Sequence, residues 1–513
     1  MFLPSFFIHR NATRDILQHL LNGTSICVLH GNRFSGKSYV LLELMKSLQE
    51  QRKKVYMITG TSLSDKMLQQ IKMKDACILL FDSGTLTNLQ LRENFYDQIN
   101  VMKKQQLQIV YVVNRSDRNF VKVFSETVDP DANDVYKCPV ETHLSVDELD
   151  EFNRGMKALT LTERKSTETF LDFAIRVDDE ALKKYPGIIP DTNVLSSERP
   201  EMIECLIVLA VCPAFDNNLA NFLDIRDELT DLCTRNERAV QKEYLSILET
   251  SWGTHSGVKF VSNSTYWLYK CLSDFAKGTS HYKAIALAIK NIIERYMSEF
   301  THADGSLDYD VFQHVQPYYY LDTIQKMFFC NAPSKGSLEL PEMIYDLLKG
   351  ILGDDYQFLH QTAKCKLRLS RRCGSQNERL NILDQAKRVL DRAYGLAKKS
   401  RSQCTEYTLA HMNVTRALIL TNYLRYCGLT SEFTTPLHTT ISCYYYIYVE
   451  KSKFVGDISS NLEASERSDF KWFIDCFKNP DNLLRTSVSD CHERQQVEAI
   501  LSAYYNRTTT IAW

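Results

Sequence analysis

The spacing of two glycines, a lysine and a serine near the amino terminus predicts a phosphate-binding loop. The segment from Gly31 to Ser38 reads GNRFSGKS and fits the pattern G-x4-G-K-[S/T] at every fixed position. Glycines let the backbone wrap around a phosphate without a Cβ atom in the way, so that successive N–H groups face the anion. In this pattern Lys37 adds a positive charge at the β- and γ-phosphates, and the Ser38 hydroxyl is a ligand for Mg²⁺.

The elements on either side of this loop favour nucleotide binding over a chance match in a surface loop. The apolar run SICVLH precedes the loop, and an amphipathic helix is predicted over residues 38–51. The sequence therefore predicts a site for ATP or ADP with Mg²⁺. We assign the contacts with the nucleotide to the loop and its next residue: Gly31, Asn32, Arg33, Phe34, Ser35, Gly36, Lys37, Ser38 and Tyr39.

A carboxylate at the end of a later apolar strand completes the predicted magnesium site. Asp82 follows the run ILLF, and in a nucleotide-binding fold it holds the water shell of Mg²⁺ from the strand next to the phosphate-loop strand. A strand-end aspartate that caps a turn is the alternative. The residues after it, Ser83 and Gly84, are not acidic, so there is no adjacent second carboxylate to polarise an attacking water. We therefore expect a slow or conditional ATPase.

Two further segments place charged side chains near the loop. Asn114 and Arg115 end the next predicted strand, where Arg115 is a candidate catalytic sensor of the γ-phosphate beside Lys37 and Asp82. A polar exit from the strand is the alternative. The segment FIHRN ahead of the loop contains Arg10, which we expect to anchor a cover over adenine and ribose. An ordinary turn before a helix over residues 15–21 is the alternative.

The elements that must position these residues alternate between strands and helices in the first third of the chain. The apolar runs are uninterrupted rather than alternating, which is typical of a parallel sheet covered on both faces. Strands are predicted over residues 25–30, 54–59, 76–81, 108–113 and 135–140. The predicted fold is an α/β P-loop NTPase domain with a parallel sheet, over residues 1–142.

Three further regions are predicted after this domain. Residues 143–196 are a helical lid, which Ser145 and Glu148 begin in the pattern of a capping box. Residues 197–278 are a winged-helix-like unit of three helices and a hairpin over residues 257–266, with its turn at residues 262–264. Residues 279–513 are an all-α, repeat-like domain that resembles tetratricopeptide repeats without their fixed period. Its clearest helices cover residues 354–369, 377–398 and 406–426.

Composition places the chain among ordinary globular proteins of several domains. The 513 residues include 61 basic and 63 acidic side chains, and this balance does not require nucleic acid or an anionic membrane as a partner. The 15 cysteines are scattered without a CxxC pair, which favours buried thiols in a reducing compartment. There is no signal-peptide pattern and no long uncharged apolar stretch. We expect a cytoplasmic protein.

The order of these motifs resembles the STAND class of AAA+-related NTPases, which are signal-transduction ATPases. FIHRN is similar to the segment of that class with two hydrophobic residues, Gly, Arg and Glu, and VVNRSD is similar to its sensor strand. Tyr269 stands where many members have a histidine that contacts nucleotide, and Gly187–Pro190 distorts the proline motif of the lid. The resemblance covers residues 5–278.

The resemblance implies a switch that opens and oligomerises on exchange of ADP for ATP. It also implies that the helical region binds a protein ligand or effector, with antiphage immunity as one setting. Two other functions remain open. One is a DNA-associated AAA+ ATPase, for which Arg235, Arg238 and Lys242 supply some positive charge beside Asp227, Glu228 and Glu237. The other is a P-loop kinase, against which no motif for a second substrate is visible.

Overall fold

The structure is a computed structural model with two compact units, Met1–Asp274 and Phe275–Trp513. It describes residues 9–32, 35–58, 63–72, 76–82, 85–86, 88–114, 134–158, 163–164, 166, 168–169, 172–173, 200–216, 223, 225, 227, 248–253, 257–262, 264–299, 309–330, 336–400, 405–427, 434–460 and 462–508. The domain boundaries expected from the sequence stay predictions.

The first unit alternates strands and helices as far as residue 139, as expected for the first third of the chain. Its described elements are α1 (Asn11–Leu21), β1 (Ile26–Gly31), α2 (Lys37–Glu50), β2 (Val55–Ile58), α3 (Asp65–Lys72), β3 (Ile78–Phe81), α4 (Asn88–Asn94), a 3₁₀ turn (Tyr96–Gln98), α5 (Ile99–Gln105), β4 (Gln108–Asn114), β5 (Val135–Pro139), α6 (Val146–Ala158), α7 (Pro200–Val211), β6 (Ala214–Asp216), β7 (Leu248–Gly253), β8 (Gly257–Ser262) and α8 (Thr265–Phe275).

Five parallel strands form one sheet in the order β2-β3-β4-β1-β5. Alternate residues of a strand face opposite sides, so Ile26 and Val28 of β1 pack with α3, α4 and α5 on one face. Cys27 and Leu29 pack with α1 and α2 on the other face. The prediction of a parallel sheet followed by a mostly helical region is therefore confirmed.

Two details of the sheet differ from the expectation. The Asp82 strand is not next to the phosphate-loop strand, because β4 pairs with both β1 and β3 and lies between them. Strand β2 is also not covered on both faces, since Tyr56 is exposed and its neighbours are half-buried. It is an edge strand, and its apolar run alone does not distinguish an edge from a centre.

The predicted hairpin over residues 257–266 is wrong in its position. Strand β8 runs to Ser262 and pairs antiparallel with the preceding β7, within a sheet ordered β6-β8-β7. The hydroxyl of Ser264 accepts a hydrogen bond from the N–H of Trp267 at 2.9 Å, which caps the start of α8. Serine and asparagine favour turns and helix caps for the same reason, a side chain that bonds to nearby backbone. A helix that begins at Thr265, not a second hairpin strand, therefore follows β8.

The second unit is helical throughout its described part. Its elements are a 3₁₀ turn (Thr279–His281), α9 (Tyr282–Glu299), α10 (Tyr309–Tyr319), α11 (Leu321–Phe328), α12 (Glu339–Leu352), α13 (Tyr356–Ser370), α14 (Gln376–Lys399), α15 (Glu406–Tyr426), α16 (Thr434–Tyr445), a π-helical turn (Tyr446–Glu450), a 3₁₀ turn (Ser452–Phe454), α17 (Val455–Ser460), α18 (Ala464–Lys478), α19 (Leu483–Thr486) and α20 (Cys491–Thr508).

Helices α14 and α15 differ in how much of their surface is buried. Helix α14 buries one stripe, formed by Leu383, Ala386, Leu390, Ala393 and Ala397, which is the face predicted from its sequence. Helix α15 has twelve buried residues, polar ones among them, because other helices cover several of its faces. It is the central helix of this part of the unit.

An ionic cluster lies between α11, α13, α15 and α18. Arg368 is 4% exposed and contacts Asp322 at 2.9 Å and Glu463 at 3.0 Å. Arg371 contacts Asp469 at 2.6 Å, and Asp469 also accepts a hydrogen bond from Asn422 at 2.7 Å. Acidic and basic side chains therefore alternate across the junction of these helices.

Several sequence predictions fall on residues that the structure does not describe. They include the linker and lid motif at 185–199 and the basic residues Arg235, Arg238 and Lys242. The 13 cysteines among the described residues are all free thiols. Within the described part of the chain, no helix combines the length and the apolar character that crossing a membrane requires. The cytoplasmic location stays a prediction.

Candidate functional site

The predicted phosphate loop lies at the carboxyl edge of the parallel sheet. In the strand order, β2 lies to one side of β1, and β5 lies to the opposite side of the adjacent β4. Ligands of open α/β sheets bind at such points, where neighbouring strands send their connections in opposite directions. Gly31, the last residue of β1, lies in register with Asn114, the last residue of β4. The strand order alone therefore places a ligand site where the motif is found.

The two motif glycines are required for different reasons. Gly36 has φ +90° immediately before α2, in the left-handed region that glycine adopts without steric cost. At Gly31 the limitation is space, since a Cβ atom there would lie 2.3 Å from the carbonyl oxygen of Val140 and 2.8 Å from Ser35 Oγ. The loop therefore folds tightly against the end of β5, and its shape depends on both glycines.

The side chain of Lys37 contacts the loop that precedes it. Its side chain is 6% exposed, and its Nζ donates to the carbonyl oxygens of Gly31, at 3.1 Å, and Asn32. A third contact joins Nζ to Ser35 Oγ at 3.3 Å. The ammonium group is thus centred within the turn of the loop, where a bound phosphate chain would meet its charge.

Ser38, in the first turn of α2, and Asp82, directly after β3, are brought together although β1 and β3 are not adjacent. The Ser38 hydroxyl donates to Asp82 at 3.0 Å from Oδ1 and 3.3 Å from Oδ2. Adjacent ligands of an octahedral Mg²⁺, each about 2.1 Å from the metal, lie about 3 Å apart. One hydroxyl and one carboxylate suit this ion, which usually keeps several waters. Among the described residues, no group of three or more His, Cys, Asp or Glu side chains forms a metal site.

The other predicted site residues are only partly visible. Arg33, Phe34 and Arg115 lie outside the described residues, so the sensor role of Arg115 stays a prediction. Tyr39 is 57% exposed on the first turn of α2. Tyr269 lies on α8, where burial, and then the nearby Asp172, raise the pKa of its hydroxyl.

Arg10 is 6% exposed, and protein groups surround its guanidinium. Nη1 donates to the carbonyl oxygen of Ser35 in the phosphate loop at 2.8 Å, and Nη2 donates to the carbonyl oxygen of Glu141 at 3.0 Å. Nε donates to the Glu148 carboxylate at 3.1 Å. The side chain therefore anchors the loop to residues at and before the start of α6, and the expected cover over adenine and ribose stays a prediction.

Two buried glutamates hold this arrangement, and the sequence analysis did not assign either one to the site. Glu43 on α2 is bonded to His9, to the backbone N–H of Arg10 and to the Thr13 hydroxyl. The sequence did contain a signal for this role, because Glu43 is a single acidic residue between Leu41 and Leu44 on an apolar helix face.

Glu148 was predicted only as part of a capping box. Its carboxylate accepts from the N–H of Ser145 at 2.8 Å, while its own N–H donates to Ser145 Oγ at 3.4 Å, so the box is confirmed. Burial acts to raise the pKa of Glu148, but the N–H groups of Asn11 and Ser145, together with Arg10, hold it below its ordinary value. The carboxylate is therefore ionised at neutral pH.

Comparison with known proteins adds little to this description. No protein-family model matches the chain, and no curated protein matches it. Among solved structures, one match is a Signal Transduction ATPase with Numerous Domains (STAND) protein with a tetratricopeptide repeat sensor from Pyrococcus horikoshii. The match is 12% identical and covers 98% of this chain and 82% of that one, with a TM-score of 0.21. A TM-score this low carries no argument, so the proposals below depend on the residues of this chain.

Proposed function

We propose that this chain is a nucleotide-dependent switch of the STAND type, which binds ATP or ADP with Mg²⁺ at the phosphate loop. The observation that carries the proposal is the arrangement of Lys37 within the loop and Ser38 against Asp82. Both lie at the carboxyl edge of the sheet, beyond the paired ends of β1 and β4. A loop glycine in the left-handed region and the start of a 14-residue helix support the same anion site.

In this proposal each residue of the loop has a separate task. Backbone N–H groups of residues 31–38 surround the phosphates, and Lys37 supplies a positive charge to them. Ser38 and Asp82 hold Mg²⁺, which neutralises charge between the phosphates when it is bound. Hydrolysis is slow, because Ser83 and Gly84 offer no second carboxylate to orient water. Arg115 senses the γ-phosphate.

The rest of the chain converts the bound nucleotide into a signal. We assign residues 143–196 as the lid and residues 197–278 as a winged-helix-like unit, which the β6-β8-β7 sheet followed by α8 supports. The helical unit binds a protein ligand or effector, and the activated form is a homo-oligomer in the cytoplasm. The resemblance of the motifs supports antiviral defence signalling as its setting.

Nucleotide binding by the purified chain tests this function. We expect titration calorimetry to detect ADP and ATP binding, and Lys37→Ala to weaken it about 100-fold, because a charge-assisted contact is lost. Lys46→Ala is the matched control, since Lys46 lies on the same helix and pairs with Glu50 at the surface. Equal affinities of Lys37→Ala and the unaltered protein would refute the proposal. Light scattering after gel filtration, with ATP and with ADP, measures the oligomeric state and so tests whether the activated form is a homo-oligomer.

A further inference from the structure

The contact between Arg10 and the Ser35 carbonyl has a consequence for the neighbouring N–H group. The C=O of Ser35 and the N–H of Gly36 belong to one planar trans peptide unit, in which they point in opposite directions. Arg10 holds that C=O at 2.8 Å, so it also directs the Gly36 N–H away from itself. Because Gly36 has φ +90°, the backbone offers little steric resistance to rotation of this peptide. Arg10 therefore fixes the orientation of a loop N–H group.

The amino-terminal segment that carries Arg10 is fixed to the phosphate-loop helix. Glu43 of α2 accepts from the backbone N–H of Arg10 at 3.3 Å and from the Thr13 hydroxyl at 2.5 Å. Glu43 is 5% exposed, and the adjoining face of α1 packs against α2 through Ala12 and Ile16. These contacts fix the backbone of Arg10 to α2.

The direction of the Arg10 side chain depends on α6. The Glu148 carboxylate accepts from Arg10 Nε at 3.1 Å, and the same oxygen accepts from the backbone N–H of Asn11 at 2.8 Å. Glu148 lies in the first turn of α6, whose start its capping box defines. The carbonyl of Glu141, two residues after β5, accepts from Arg10 Nη2. A displacement of α6 therefore removes the carboxylate that holds Nε, one of the acceptors that orient the guanidinium.

We propose that Arg10 and Glu148 are positioning residues that link helix α6 to the phosphate loop, so that displacement of α6 frees the Ser35–Gly36 peptide and speeds nucleotide release. The rate effect depends on the proposed nucleotide-binding function, whereas the effect on the loop backbone does not. The link runs from the α6 carboxylate through the guanidinium and the Ser35 carbonyl to the Gly36 N–H. Nucleotide affinity is thereby coupled to the position of a helix that lies outside the sheet.

The experiment compares Glu148→Gln and Arg10→Lys with the unaltered protein. Glutamine still completes a capping box, so α6 keeps its cap while the charge that holds Arg10 is lost. Lysine keeps a positive charge, but its donors share one nitrogen and cannot reach acceptors as widely separated as those of the planar guanidinium. Asp147→Asn is the control, because Asp147 is an exposed acidic residue in the same first turn.

Two measurements are made on each variant. Hydrogen exchange by mass spectrometry follows the backbone amides of residues 35–38, and stopped-flow fluorescence follows the dissociation of a fluorescent ADP analogue. We expect both main variants to exchange these amides faster and to release the analogue about fivefold to tenfold faster, because a charge-assisted hydrogen bond becomes a weaker one. The amides of α6 keep their protection in Glu148→Gln, and Asp147→Asn matches the unaltered protein.

The outcomes separate this inference from the proposed function. Unchanged exchange at residues 35–38 in both main variants overturns the inference, whatever the nucleotide data show. Faster exchange with an unchanged release rate also overturns it, because the loop peptide would then not control release. If the unaltered protein binds no nucleotide, the proposed function fails, and the exchange measurement alone decides whether Arg10 and Glu148 position the loop.

Discussion

Arg10 and Arg368 are both buried arginines, one in each unit, and their acceptors differ in kind. Arg10 donates to two backbone carbonyls and one carboxylate. Arg368 lies among the carboxylates of Asp322, Glu463 and Glu466 and the side-chain amide of Gln325. Their exposed fractions are nearly equal, 6% and 4%. Burial alone therefore does not distinguish the roles of these two side chains.

The kind of acceptor indicates what each arginine controls. A backbone carbonyl moves with the peptide that carries it, so a contact to Ser35 depends on the conformation of the phosphate loop. A carboxylate on a helix moves with the whole helix, so the contacts of Arg368 depend on how α11, α13 and α18 pack. We therefore expect changes at Arg10 to alter ligand binding, and changes at Arg368 to alter the stability of the helical unit.

The largest expected effect is on stability, after Arg368→Ala. Removal of Arg368 takes a buried counter-charge away from Glu463 and from Glu466, which is 3% exposed, and this costs about 3–5 kcal/mol of the free energy of unfolding. Calorimetry of the full chain would show the transition of the helical unit roughly 10 °C lower, with ADP affinity unchanged.

The control for this prediction is Arg388→Ala. Arg388 is 68% exposed and pairs with Asp384 within α14, so its loss should change the free energy of unfolding by less than about 0.5 kcal/mol. If both variants shift the unfolding transition equally, the buried cluster contributes no more to stability than the exposed ion pair does. If Arg368→Ala weakens ADP binding, the contrast between the two arginines is wrong.

The second prediction concerns a carboxylate of the helical unit whose pKa is shifted upward. Asp355 caps α13 by accepting from the N–H of Phe358 at 2.6 Å, and the Tyr319 hydroxyl donates to it at 3.1 Å. Burial raises the pKa of Asp355 to about 6, although these hydrogen bonds oppose the shift. In Asp322, by contrast, burial is outweighed by Lys364 and Arg368, which lower the pKa to about 2.

The direction of the pH effect follows from these shifts. A carboxyl group whose folded pKa is raised stabilises the fold fully below its unfolded pKa, about 3.9, and loses that contribution as pH rises through 6. We therefore expect Asp355→Asn to stabilise the helical unit by about 2 kcal/mol at pH 7.5 and to have little effect at pH 4. Thermal unfolding across this pH range is the measurement. Asp354→Asn, an exposed neighbour, is the control and should show no such trend.

Local patterns predicted the elements well, and tertiary contacts decided what the patterns left open. The bounds of α15 were predicted to the residue, because helical spacing is a local signal, and the structure adds Thr405 as the N-cap. The position of β4 between β1 and β3 was not predicted, because an apolar run does not show which strands it pairs with. A hairpin turn was predicted after β8 because its partner strand, β7, was not recognised upstream.

In the candidate site, too, features with local sequence signals were predicted, and features set by tertiary contacts were not. The phosphate loop was predicted because its chemistry requires fixed residues at a fixed local spacing. The Ser38–Asp82 contact was anticipated, since both positions belong to one motif pair. The Arg10–Glu148 contact was not predicted, because 138 positions separate the two residues and each has an ordinary local explanation. Contacts of this kind follow only from the folded chain.

The smallest effect we predict tests whether Ser38 acts through a metal ion. Ser38→Ala removes the hydroxyl that lies 3.0 Å from Asp82, so it should weaken ATP binding about tenfold with Mg²⁺ present, which is about 1.4 kcal/mol. With Mg²⁺ removed by a chelator, the variant and the unaltered protein should bind ATP equally. Ser38→Thr keeps the hydroxyl and should retain the full response to Mg²⁺. A tenfold loss that persists in chelator would mean that Ser38 supports the loop backbone directly. The phosphate loop would then resemble the helical cluster, as a set of groups that stabilise one another.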